Sequence, residues 1–536
     1  MNIILQYENS FRKNIKLPAL TDYMTGKTWS YKDLAARVSS IHGILRENGI
    51  AKGDKVALVG KNSIDWISVY IGVITYGATI VPILPDFNPV DMEGIINHSD
   101  ARLLFADSRI LEHLNVSGLD NVAVTLAIET LPEPDNKEFD IEKLHYAELD
   151  DEDTLIISYT SGTTGNSKGV MLPVRSITAN VQFAIDHKFH FKGSRVLALL
   201  PLAHAYGCAF DMLTPLATGS HIYVLGKIPT PSILIKALGE VKPHLICTVP
   251  LVMEKIVQKN VFPLLEKQPL KTLTRIPLIK NCIFAVIRKK MLSTFGGRVK
   301  EVNMGGAALA TDVENFLYRI RFPFTIGYGM TECGPLISYQ RWRKFKKTSC
   351  GKLLPGMSVA LDTEGFDNGL GEICVKGTNV MTGYYKNPEA TAQALRGGWL
   401  HTGDVGFVDK SGTIFLRGRC KSMILTSAGQ NIYPEEIEGK LNHLEGVAES
   451  LVYEKDGKLI ALVVPDADIM KNQDTEGILA YMKGLLAKLN SLVAPFEKIA
   501  EIKTCAEPFE KTPKQSIKRF LYPKMAKLLG EKKDSD

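Results

Sequence analysis

The sequence predicts an α/β chain: a mostly parallel, helix-covered sheet, then a small β-barrel, then a compact α+β unit. Three observations lead there. Apolar strand patterns alternate with helical stripes over the first 110 residues and resume at 196–249, the βαβ rhythm that lays helices on a parallel sheet. After about residue 345 the texture turns to short strands between glycines. Beyond Arg419 it turns again, to strand pairs and helices.

Taken in order, Leu34, Val38, Ile41 and Leu45 recur at helical spacing, and KVALVG (55–60) follows as a strand. A second apolar helix fits 63–77, with strands TIVPIL (79–84) and ARLLFA (101–106) after it. TLIISY (154–159) enters the loop YTSGTTGNSKG (159–169), and GVML behind it reads as a short strand ending at Pro173. VLALLP (196–201), HIYVLG (221–226) and HLICTV (244–249) continue the sheet pattern, with helical segments between them. GEICVKG (371–377) and GTIFLRG (412–418) are the barrel strands. The last unit holds a strand pair around 422–433, a helix at 435–443, a hairpin around Lys455–Lys458 and a helix near 475–489.

At 536 residues the chain is too long for one simple domain. No apolar run approaches the roughly 18 residues of a membrane span. The first residues, MNIILQYENSFRKN, have no apolar core or small-residue cleavage site, so a secretory leader is not expected. The eight cysteines are scattered without a CxxC pair, which argues against a zinc site and fits a reducing cytoplasm. A net charge of +6 suits anionic ligands or a lipid surface and gives no reason to expect nucleic acid.

The loop at 159–169 crowds backbone N–H groups, hydroxyls and the Lys168 ammonium around one concavity, which suits a polyphosphate. Its glycine–lysine spacing is not GxxxxGK[ST], and a strand pattern follows where that motif needs a helix. A strand–loop–strand phosphate site is therefore expected.

That loop resembles the signature of the adenylate-forming superfamily, which includes acyl-CoA synthetases, peptide-synthetase adenylation domains and beetle luciferases. Further motifs follow in the family's order: LPLAHAYG (200–207), MGGAAL (304–309), IGYGMTECGP (326–335), MTGYYKNPEAT (381–391), WLHTGDVG (399–406) and RGRCKSMILTSAGQNIYPEEIE (417–438). The similarity runs from Trp29 to Arg519. It implies a large N-terminal domain (1–418) of two helix-covered sheets plus a small β-barrel, and a small mobile α+β domain (419–536) with a hinge at about 419–422 and Lys421 as pivot. The implied reaction joins a carboxylate to the α-phosphate of ATP, releases pyrophosphate, and passes the acyl group to CoA.

On the same resemblance, Thr160, Ser161, Gly162, Thr163, Thr164, Gly165 and Lys168 hold the phosphates, and Glu332 ligates Mg²⁺. Gly305, Gly306, Ala307 and Tyr328 shape the adenine slot, Gly329 and Thr331 are further nucleotide-binding positions, and Asp404 and Arg419 take the ribose. His204 orients the substrate carboxylate or serves as a satisfied structural histidine, and Tyr206 lies beside it in the same motif. Gly429 and Gln430 border the tunnel for the thiol arm.

One departure stands out. Relatives carry a lysine near the C-terminus for the α-phosphate; here EKTPKQSIKR (510–519) puts Ser516 at that position. Lys514 and Lys518 lie two residues to either side, on the same face of an extended chain, and either is a candidate replacement. The segment 231–256 resembles long-chain fatty acid–CoA ligases, so a cytoplasmic ligase of that kind is expected. Acyl carrier protein as acceptor, or a non-catalytic acyl or nucleotide sensor, are the rivals. Basic residues interleave with apolar ones at 270–298, and RWRKFKK (341–347) adds a second basic cluster. Both suit peripheral contact with an anionic membrane at its inner face; an amphipathic helix packed on its own domain fits the first equally, and contact with the CoA phosphates or a solvated charge run fits the second.

Overall fold

Ser30 opens the first long helix of the sheet region. Its side chain accepts from the Asp33 N–H, and the Asp33 carboxylate accepts the Ser30 N–H at 2.7 Å, a reciprocal cap. Tyr31–Glu47 then buries Leu34, Val38, Ile41 and Leu45, the expected stripe. Ile64–Tyr76 starts from Ser63 and ends at Gly77, whose φ of 95° suits glycine. The two helices approach closely at Gly72, where a Cβ would meet Ile41 Cγ2 at 2.7 Å. Between them the buried Arg37 guanidinium meets Asp65 at 2.7 Å.

The computed structural model describes all residues except 1, 138, 162–166, 227–229, 367, 426–430, 467–470, 472, 513–516, 527 and 530–536. Packing divides the chain into two compact units. The first comprises Met1–Thr160, Ser167–Ser358 and Val375–Leu400. Its largest sheet has seven strands, in the order Gly383–Tyr384, Ser167–Pro173, Thr154–Ser161, Thr79–Ile83, Lys55–Val59, Ala101–Ala106 and Val124–Ala127. The pairs from Thr154–Ser161 through Val124–Ala127 are parallel, and Gly383–Tyr384 joins the other edge antiparallel. A four-stranded sheet includes the parallel strands Pro18–Asp22, His221–Val224 and Arg195–Ala198. A three-stranded parallel sheet, Leu245–Thr248, Glu301–Met304 and Phe324–Ile326, lies beside it. A three-stranded antiparallel sheet spans 328–353, and the barrel strands expected after about residue 345 fall in a five-stranded sheet at 357–419.

The basic insertion forms Pro277–Thr294, which packs Phe284, Ile287 and Met291 into the core that includes Phe316 and Leu317. Its outer side shows Leu278, 82% exposed, and Val286, 65% exposed. RWRKFKK is anchored at both ends: Trp342 N–H donates to Glu301 Oε1 at 2.7 Å, and Phe345 packs on Phe324. Among the described residues, no helix is long and apolar enough to cross a membrane.

The second unit comprises Ser161–Asn166, Val359–Cys374 and His401–Asp536. The hairpin Val447–Lys455/Lys458–Pro465 pairs in parallel with Ile499–Thr504. Pro434–Leu441 and Thr475–Asn490 pack Ile437, Leu441, Met482 and Leu489 against Val452, Ala461 and Val463. By packing, this unit takes in residues from 401, upstream of the expected boundary at 418/419. The reason lies in Ile414–Arg419: Arg417 reaches Glu436 at 3.2 Å, and Gly418 lies so close to Tyr433 that a Cβ would sit 3.1 Å from its ring. The packing boundary and the expected pivot at Lys421 are different positions.

Candidate functional site

Three of the expected motifs begin where parallel strands end, the side of an α/β sheet on which ligands bind. Thr154–Ser161 runs into the phosphate-type loop, and Ser167–Pro173 returns from it, so the arrangement is strand–loop–strand as expected. Gly162, Thr163, Thr164 and Gly165 lie outside the described residues, as does the Ser161 side chain. Thr160 and Lys168 are half-buried at the two ends of the loop.

Lys168 is tied to the next motif through a residue that the sequence reading quoted but did not single out. Its Nζ lies 4.9 Å from the centre of the Tyr384 ring, a cation–π contact. The Tyr384 hydroxyl donates to Glu332 Oε1 at 2.9 Å. Burial, with the Glu332 carboxylate beside it, raises the pKa of that hydroxyl well above the usual phenol range, so it stays a donor. Glu332 is itself buried, on the turn Thr331–Cys333, and its carbonyl accepts from Met381 N–H at 2.8 Å. A buried carboxylate held on one oxygen by a neutral hydroxyl, close to a lysine, fits a hard divalent cation carrying phosphate oxygens.

Gly305, Gly306 and Ala307 directly follow Glu301–Met304, and Tyr328 and Gly329 follow Phe324–Ile326, so adjacent strands deliver both to one sheet end. Gly306 has φ 87° and is exposed with Ala307, whereas Tyr328 and Thr331 are buried. Tyr206 closes the other side. Its hydroxyl donates to the Asn303 carbonyl at 3.0 Å, and a Cβ on Gly305 would touch its ring at 3.4 Å. His204 caps the turn Ala205–Gly207, its Nδ1 accepting the Tyr206 N–H at 3.4 Å.

Behind Tyr206 lies a second group that the sequence reading passed over. Asp211 is fully buried, its Oδ2 without a hydrogen-bond partner, and burial pushes its carboxyl up to about 7. The unfolded carboxyl titrates near pH 4. Between about pH 4 and 7 the native state therefore holds a proton that the unfolded chain lacks, and stability falls as pH rises through that window. Asp211→Asn removes this loss. The variant is expected to equal the wild type near pH 4 and exceed it at pH 8, by about 4 kcal/mol at most. Denaturant titrations at the two pH values measure the gap; an unchanged gap would show that Asp211 ionises without cost.

In the second unit, Asp404 and Arg419 face each other across the antiparallel strands Trp399–Val408 and Ile414–Arg419. Arg419 Nε donates to Asp404 Oδ1 at 2.8 Å, with Asp404 buried and Arg419 largely exposed. The carboxylate is thus fixed by a ladder partner rather than by a loop. Lys421 lies on the turn Cys420–Ser422 just beyond. Lys518 pairs with Glu510, and Arg519 with Glu438. Lys514, Ser516, Gly429 and Gln430 lie outside the described residues.

A family model described as AMP-binding enzyme matches residues 7–385. The chain is 28% identical over 507 residues to long chain acyl-CoA synthetase 3 of Arabidopsis thaliana, covering 83% of this chain and 75% of that protein. It is 27% identical over 494 residues to a 4-coumarate–CoA ligase of Pinus taeda, covering 86% and 85%. Among solved structures, O-succinylbenzoate coenzyme A synthetase of Bacillus subtilis in complex with AMP shares the fold, with a TM-score of 0.77, 20% identity and 98% of each chain covered.

Proposed function

The chain belongs to the AMP-binding enzyme family, and we propose that it is an ATP-dependent ligase that activates a fatty acid, long-chain by preference, and transfers it to CoA. The observation that carries this reading is the Lys168–Tyr384–Glu332 chain, which joins the return strand of a phosphate-type loop to a buried carboxylate. Activation brings two anions together, the substrate carboxylate and ATP, so the site has to supply positive charge and fixed donors. Lys168 and the hydroxyls of the loop hold the outer phosphates while a carboxylate oxygen attacks the α-phosphorus and pyrophosphate leaves. Glu332 holds Mg²⁺, which when bound offsets phosphate charge. Tyr328 and the Gly305–Ala307 segment receive adenine, Asp404 and Arg419 the ribose, and His204 orients the incoming carboxylate. The CoA thiolate then attacks the acyl carbon and displaces AMP, the arm passing Gly429 and Gln430, with Lys421 as the pivot between the two steps.

Ser516 supplies a second reading, a protein that binds acyl or nucleotide ligands without completing activation. Replacement of the lost charge by Lys514 or Lys518 distinguishes the two. The double variant Lys514→Ala/Lys518→Ala is expected to lose pyrophosphate release by about a hundredfold, and full retained release would show that neither lysine acts. The deciding assay for the whole reading is pyrophosphate release with medium- to long-chain fatty acids, with and without CoA. Release that rises with chain length and yields acyl-CoA supports the ligase. Product formation with acyl carrier protein but not free CoA would move the acceptor, and nucleotide binding without release would favour the sensor.

The long-chain preference is supported by the helix Pro277–Thr294, whose exposed residues include Leu278, Val286, Lys289 and Lys290. Together they suit an anionic lipid surface, where such an acid would partition. Leu278→Glu/Val286→Glu is expected to reduce co-sedimentation with phosphatidylserine vesicles by about tenfold without changing turnover of a micelle-free acid. Equal sedimentation of both proteins would remove the helix from membrane contact.

A further inference from the structure

We propose that Glu372, Cys374 and His401 form a binding site for one thiophilic divalent cation of the zinc type. Glu372 and Cys374 lie on Gly371–Gly377, two positions apart and so on one face of the strand. His401 lies on the neighbouring strand Trp399–Val408 and meets both. Glu372 Oε2 is 2.9 Å from His401 Nδ1, and Cys374 Sγ is 3.3 Å from the same nitrogen. One ligand atom from each residue lies within 4.8 Å of the other two. A tetrahedral cation with bonds of about 2.0–2.3 Å holds such atoms about 3.4–3.6 Å apart. The two contacts to His401 therefore need to open by at most about half an ångström to receive it. Asp362 Oδ2 lies 3.9 Å from His401 Nδ1 but outside the group whose atoms are mutually close, so the fourth position falls to water.

The geometry disfavours the other chemistry this trio suggests. A thiol nucleophile relay places the thiol on one ring nitrogen and the carboxylate on the other, whereas here both converge on Nδ1 and Cys374 is buried. A hard cation would take oxygens throughout; thiolate, imidazole and carboxylate together are a zinc-type set. On binding, the Cys374 thiol gives up its proton to solvent, and His401 presents Nδ1 unprotonated. Spacing along the chain argued against zinc because no two cysteines are close. The strand ladder supplies the proximity that the spacing lacks.

The site stands apart from the proposed activity, yet it backs one part of it. Glu372 Oε1 accepts the Gly403 N–H at 2.8 Å, and Thr402 Oγ1 donates to the Ile373 carbonyl at 2.7 Å. Both bonds hold the stretch of strand that leads into Asp404.

Cobalt(II) titration of the full chain after chelator treatment tests the site. The expected result is one cobalt per chain with a thiolate-to-cobalt charge-transfer band, displaced by zinc. Cys374→Ser should lose the band and weaken binding by more than about tenfold, and His401→Gln should weaken it similarly. Cys282→Ser, which removes an exposed thiol elsewhere, should keep both band and affinity. Thermal melts of the metal-free proteins report the folding of each variant, and cobalt should raise the melting temperature of the wild type but not of His401→Gln. Absence of stoichiometric binding in the wild type, or a band that survives Cys374→Ser, would overturn the proposal.

Discussion

Glu332→Gln is expected to lower kcat/KM for pyrophosphate release by about a hundred- to a thousandfold. Glutamine keeps the shape of the side chain and can still accept the Tyr384 hydroxyl, which Glu332 Oε1 takes at 2.9 Å. What it loses is the charge that a magnesium–phosphate complex needs in a buried, low-dielectric place. Tyr384→Phe removes only the hydrogen bond and keeps the ring under Lys168, so about 0.5–1.5 kcal/mol, or up to roughly tenfold, is expected. Initial rates across a magnesium series, with melting temperatures for both variants, make the comparison. A Glu332→Gln variant within tenfold of wild type and with the same magnesium dependence would take Glu332 out of cation binding.

Asp404→Ala is expected to weaken ATP binding by about a hundred- to ten-thousandfold. Two hydrogen bonds from ribose hydroxyls to a carboxylate contribute about 1.5–3 kcal/mol each. The fold should tolerate the change, because the Arg419 side chain left behind is largely exposed and its ion pair is worth little to stability. Calorimetric titration with a non-hydrolysable ATP analogue measures the loss. Affinity within threefold of wild type would place the ribose elsewhere.

The elements that were legible in the sequence are those whose period and caps agree. Leu34, Val38, Ile41 and Leu45 mark a helix because Ser30 and Asp33 start it where the stripe starts. The phosphate-type loop was legible as strand–loop–strand because GVML and Pro173 deny it a following helix, and the helix indeed waits until Val174. The proposed ribose pair, Asp404 and Arg419, was visible only as two motifs; their facing positions in one hairpin are a property of register. Tyr384 went unnoticed because its partners, Lys168 and Glu332, belong to other motifs far along the chain. Asp211 gave no signal at all, since a single aspartate in an apolar stretch looks the same whether it faces water or a core. Arg417 and Gly418 pack on the Tyr433–Glu436 segment, which no pattern in residues 412–418 announces.

The tandem tyrosines of MTGYYKN have a consequence for how this segment can vary. Tyr384 sits opposite Val170 on the return strand, its hydroxyl on Glu332, while the Tyr385 hydroxyl takes Asp100 at 2.7 Å beside Lys386. Neighbouring residues of a strand point to opposite faces, so a one-residue slip exchanges the two rings. Each ring would then meet the wrong acid, although the composition of the segment would be unchanged. Residues 381–386 should therefore accept substitutions at the half-buried Thr382 while refusing any insertion or deletion, a constraint on length beyond that on identity.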